Sequence, residues 1–141
     1  MAKDKKINKG SAGQNRKAGE NYIEKYAQKK GVERSSSGLL YRVLESGSGK
    51  TPTEFDTVKV NQRILNVDGS VIADTYKTGL PDEFSMAEAL PGLKEALQMM
   101  EEGARWEIVI PPDLAWGKKG VGNKIGPFAT LVFDVRLLEV V

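Results

Sequence analysis

Few side chains in this chain suit covalent or acid/base chemistry. The 141 residues include neither cysteine nor histidine. That removes Cys-His and Ser-His nucleophile systems, a disulfide framework and a structural zinc site. Carboxylates remain, but an adjacent pair such as Glu101-Glu102 reads as the solvated face of a helix. No phosphate-cradling glycine motif occurs, and GSGK at Gly47 to Lys50 is too short for a P-loop. The most informative stretch is LPGLKEALQMMEEGARWEIVIPPDLAWG, from Leu90 to Gly117. It frames either a helix and strand that only pack a core, or the rim and floor of a pocket. A reaction housed there would need no cofactor, no metal and no strong acid or base.

The elements that would hold such a pocket follow from periodicity. A helix is expected over Pro91 to Glu102: proline suits its first position, Leu93, Ala96, Leu97 and Met100 share one face, and Gly103 stops it. Trp106, Ile108 and Ile110 then alternate until Pro111-Pro112 ends the strand. In TVKVNQRILNV, Val58, Val60, Gln62 and Ile64 face one side, and Asp68-Gly69 marks a turn. LLYRVLE reads as a strand, SVIADTY as a short apolar piece, and ATLVFDVRLLEVV places Leu131, Phe133, Val135 and Leu137 on one face. Several antiparallel strands around one amphipathic helix make an α+β fold, a bent sheet wrapped on that helix.

The chain is long enough for one domain with a tail. Residues 1–14 are polar and basic and read as a disordered tail. Residues 15–34 form an N-terminal helix and linker, with a narrow stripe of Tyr22, Ile23, Tyr26 and Ala27, and residues 35–141 form the domain. The first 31 residues carry nine Lys/Arg against three acids, net +6, and the rest carries net −4. A basic tail of this kind could touch nucleic acid, but without interleaved aromatics no specific nucleic-acid partner is expected. No apolar run approaches the roughly 18 residues of a membrane span, and no apolar segment follows the first basic residues as in a secretory signal. The expectation is a cytoplasmic protein with no membrane partner.

In order and spacing, YRVLESGSG, Asp68-Gly69, LPGLKEAL, GARWEIVIPPDLAWG and ATLVFDVRLLEV resemble the FKBP family of peptidyl-prolyl cis/trans isomerases, from about Gly38 to Val141. Upstream, NRKAGENYIEKYAQKKGVERSSSGLLY is similar to the end of the linker helix of bacterial Mip-like FKBPs. In that group an earlier region makes a dimer, whereas a single such helix here implies a monomer. The resemblance implies proline-containing peptides or unfolded protein segments as partners.

It also implies a pocket at Gln62, Ile72, Ala73, Leu90, Leu93, Trp116 and Phe133, with a flap that includes Ile125 and Phe128. Four of these depart from the family pattern. Leu93 replaces the Trp floor, Gln62 a Tyr, and Ile72-Ala73 a Phe-Asp pair; Asp74 lies one residue out of register. Trp116 stands where Tyr is usual and keeps an N–H donor. The implied function is a prolyl isomerase assisting protein folding, with weakened activity and poor macrolide affinity. The alternative is a non-catalytic peptide-binding or chaperone module of the same fold.

Overall fold

The computed structural model describes residues 9–141. The chain runs through α1 (Ala12–Tyr26), β1 (Val32–Arg34), β2 (Leu40–Glu45), β3 (Thr57–Asn66), β4 (Val71–Asp74), α2 (Thr75–Thr78), β5 (Asp82–Ser85), α3 (Pro91–Leu97), β6 (Arg105–Ile110) and β7 (Leu131–Val140). The strands form one antiparallel sheet in the order β1-β2-β6-β7-β3-β4, with β5 also on β3. One edge of β3 therefore meets β7, and the other is shared by β4 and β5.

Cross-strand register carries the alternation of the sequence into a core. Val58 faces Val140, Val60 faces Leu137, Gln62 faces Val135 and Ile64 faces Phe133. Register shifts at Lys59/Val60, Ile64/Leu65 and Val43/Glu45 mark bulges, which bend strands and increase twist. The buried residues of β3, β6 and β7 pack on Leu93, Ala96, Leu97 and Met100. At Gly92 an added Cβ would lie 2.6 Å from Ile110 Cγ2, so α3 sits closer to β6 than any larger residue would allow.

The opposite face of the sheet holds a second, smaller core. Tyr26 of α1 packs with Leu40, Val109 and Val132, and Tyr22 and Ile23 lie against them. The narrow stripe of α1 thus docks the helix on the sheet. Gly19 makes the approach possible, since a Cβ there would overlap Thr130 Oγ1. The Tyr26 hydroxyl donates to Glu107 Oε1 at 2.7 Å, and Arg42 pairs with the same oxygen at 3.0 Å. Burial first, and then the hydrogen bond to Glu107, push the Tyr26 hydroxyl well above the usual phenol range.

Four boundaries differ from expectation. Residues 12–14, assigned to the tail, are helical because Ser11 and Gln14 form a capping box; the tail over residues 1–8 lies outside the described residues. Val32–Arg34, assigned to the linker, is a strand paired with β2. SVIADTY splits after Asp74, whose side chain accepts the Lys77 N–H at 3.2 Å and caps α2. The helix expected to reach Glu102 stops at Leu97, and the chain turns through three-residue bonds, Met99 N–H to Ala96 O and Met100 N–H to Leu97 O. Glu102 is therefore not a helix-face residue: its carboxylate accepts the N–H groups of Val140 at 2.7 Å and Lys50 at 3.1 Å.

Candidate functional site

An apolar hollow of about 170 Å³ opens on the concave side of the sheet. Leu93, in the first turn of α3, is buried beneath it, and Leu90 lines it just before Pro91. Phe133 of β7, 1% exposed, forms a deep wall. Trp116 closes another side; Pro111-Pro112 end β6, and two single 3-10 turns, Pro112–Leu114 and Gly117–Lys119, leave Trp116 between them. Gln62 supplies the polar edge: its backbone N–H donates to Thr75 Oγ1 at 2.8 Å and its Nε2 donates to Asp82 Oδ2 at 2.9 Å. Five of the expected residues, Gln62, Leu90, Leu93, Trp116 and Phe133, thus meet in one place.

The others divide. Ile72 and Ile125 line a second hollow of about 420 Å³ on the other side of Trp116, with Val121, Asn123 and Lys124. Ile72 is the extra residue of the β4 bulge, and Lys124 Nζ donates to its carbonyl at 3.4 Å. Ala73 stands directly across from Ile64 and so shares its concave face, but it does not line either hollow. Asp74 brings no carboxylate to the pocket: besides capping α2, its Oδ2 lies 3.5 Å from Arg63 Nε.

Phe128 needs correction. Expected in a flap over the pocket, it adopts φ 55° and places its ring 4.1 Å from the Arg16 guanidinium of α1. It lines a separate groove of about 450 Å³ between α1 and the Pro111–Lys118 segment. A left-handed backbone is uncommon for a bulky residue, and nothing in the local sequence signals it.

Phe84, Ile64, Glu88 and Ala89 also line the first hollow and were absent from the expected set. Phe84 faces Val58 across the β5–β3 pair, which turns its ring to the concave face. The available signal was one aromatic in a short polar stretch, DEFS, too brief to show a period.

A family model described as FKBP-type peptidyl-prolyl cis-trans isomerase matches residues 48–138, and one described as the domain amino terminal to that isomerase matches residues 1–43. The chain is 44% identical over 129 residues to the FKBP-type peptidyl-prolyl cis-trans isomerase FkpA of Escherichia coli K12, covering 92% of this chain and 47% of that protein. It is 38% identical to the outer membrane protein MIP of Legionella longbeachae, covering 92% of this chain and 55% of that one. The chain thus spans about half the length of these relatives. The crystal structure of Escherichia coli FkpA superposes with a TM-score of 0.88 over 92% of this chain and 60% of that one. That of a peptidyl-prolyl cis-trans isomerase from Pseudomonas syringae superposes with a TM-score of 0.85 at 31% identity, over 94% and 98%. With the isomerase family model matched over residues 48–138 and 92% of its length matched to FkpA, the chain belongs to the FKBP-type peptidyl-prolyl cis-trans isomerase family.

Proposed function

We propose that this chain accelerates cis/trans interchange at peptide bonds preceding proline, with the proline seated over Leu93. The observation that supports this reading is the meeting of Leu90, Leu93, Trp116 and Phe133 around one apolar hollow. Amide resonance sets a rotation barrier of about 18–20 kcal/mol, and X-Pro bonds populate both isomers. The twisted amide has lost resonance and charge separation, so an apolar site that fits it lowers the barrier relative to the planar form in water. Trp116, which lines the hollow, is proposed to donate its indole N–H to a substrate carbonyl.

The activity proposed is a weakened one. Leu93 gives an aliphatic floor in place of a flat indole, Ala73 carries no carboxylate, and Asp74 is held by Arg63 and α2. The same loss of flat surface supports poor macrolide affinity. In a proline-limited refolding assay, wild type is expected to accelerate slowly, and Leu93→Trp and Ala73→Asp to increase the rate. Wild-type turnover equal to that of both variants would overturn the weakened-site reading.

A non-catalytic peptide-holding module is favoured by the same joint departure at Gln62, Ile72, Ala73 and Leu93. It requires proline peptides to shift NMR signals around Trp116 and Phe133 without faster isomer exchange. In either case the partners proposed are proline-containing or unfolded segments. The monomer proposal is supported by α1, whose Tyr22, Ile23 and Tyr26 pack on its own sheet; light scattering tests it. No helix among the described residues is long and apolar enough to cross a membrane. A cytoplasmic location draws no support from the relatives, one of which is named an outer membrane protein.

A further inference from the structure

Trp116 separates two hollows, and each is lined by one charged residue among those described. In the first, with Leu93 and Phe133, it is Glu88; in the second, with Ile72 and Ile125, it is Lys124. Glu88 ends a 3-10 turn, Met86–Glu88, that Ser85 caps by accepting the Ala87 N–H at 3.2 Å. Lys124 lies in a turn closed by the Val121–Ile125 bridge, and its backbone carbonyl accepts from Asn66 Nδ2 at 3.1 Å. Its Nζ donates to the Ile72 carbonyl at 3.4 Å, which holds the ammonium beside the second hollow and leaves two N–H groups for a ligand. Neither Glu88 nor Lys124 forms an ion pair among the described residues. The nearby carboxylates are engaged elsewhere, Asp74 with Arg63 and the α2 cap and Asp82 with Gln62.

A peptide that seats its proline over Leu93 and continues past Trp116 meets Ile72, Val121 and Ile125 next, so the first hollow offers it an anion and the second a cation. We infer that the two hollows together select charge order: the favoured substrate is a proline-containing segment with a basic residue on the Glu88 side and an acidic residue on the Lys124 side. The inference rests on the isomerase reading of the first hollow. Both charged side chains are exposed, so each contact changes affinity only a few-fold, and salt weakens it. A segment with its two charges exchanged brings like charges together at both ends, which widens the contrast.

The test uses the whole chain and three blocked peptides: Lys-Ala-Leu-Pro-Phe-Glu, Glu-Ala-Leu-Pro-Phe-Lys and the neutral Gln-Ala-Leu-Pro-Phe-Gln. The first two share composition and net charge, so only charge order separates them. Binding is followed by tryptophan fluorescence at low salt, and isomer exchange in the neutral peptide by NMR. In wild type one charged peptide is expected to bind about fivefold more tightly than the other, with the neutral one between them. Which of the two it is gives the direction of the bound chain. In about 1 M salt, where charges are screened within about 3 Å, the two should agree within about twofold. Combining Glu88→Lys with Lys124→Glu reverses the preference. Glu88→Gln and Lys124→Gln each reduce it, and they carry the test if the double variant does not fold.

Equal binding of the two charged peptides to wild type overturns the inference, as does a preference unchanged in the variants. Accelerated exchange in the neutral peptide alongside equal binding of the charged pair sinks the inference and leaves the isomerase reading standing. Failure of every peptide to bind sinks both.

Discussion

Phe84 separates what a side chain is from where pairing puts it. Its ring forms a wall of the hollow although it belongs to a four-residue strand. Phe84→Ala removes that wall while leaving the Phe133 core in place. Peptide affinity is expected to fall about five- to tenfold, and stability by about 2 kcal/mol, less than for a fully buried Phe→Ala change; fluorescence titration and urea unfolding measure the two. An unchanged affinity would place the proline away from Phe84. Leu93, Trp116 and Phe133 could be read from the sequence because each sits at a fixed offset from punctuation or within a clear alternation. Phe84 and Phe128 could not, since one depends on β5 finding β3 and the other on a backbone at φ 55°.

Short elements depend on their neighbours in the same way. The ten-residue strands β3 and β7 and the six-residue β6 show their faces in the sequence, whereas the three residues of β1 have no period and exist by pairing with β2. The end of α3 was misjudged because Met100 fits a further helical turn as well as it fits the turn that the chain makes. What holds that turn is Glu102, whose carboxylate bonds the N–H of Val140 and then of Lys50, lowering its pKa below the ordinary 4.5. The unfolded chain therefore binds this proton more tightly. The contribution to stability is present above pH 4.5 and is lost as pH falls through the lower folded value. Urea midpoints measured on acidification should drop further for wild type than for Glu102→Gln, and parallel curves would remove Glu102 as a source of acid sensitivity. On the other face, Gly19→Val would push α1 off Thr130, which is buried and β-branched, and is expected to lower stability by about 2 kcal/mol. Calorimetry of Gly19→Val beside Gly13→Val, at a helix position with nothing within 4 Å of an added Cβ, separates contact from helix propensity.

At the scale of the molecule, one sheet separates two cores with different tasks. The larger, with α3, builds the hollow; the smaller, under α1, covers Leu40, Val109 and Val132. Removing residues 1–30 should expose that outer face, lower the urea midpoint and raise binding of a hydrophobic dye. If the sheet insulates the faces, peptide affinity stays within about twofold of the whole chain. One physical route argues otherwise: the segment from Pro111 to Lys118 meets Arg16 and Ile23 of α1 around the outer groove and carries Trp116 to the hollow. That segment and the following stretch to Phe128, which stacks on Arg16, line hollows on both sides. Because β6 and β7 flank it with continuous pairing from Arg105 to Ile110, a loosened loop can shift Trp116 without disturbing Leu93 or Phe133. Arg16→Ala and the truncation should then move together. If both leave affinity unchanged, α1 only stabilises; if both weaken it more than about fivefold while Gly19→Val folds and does the same, α1 sets the position of Trp116.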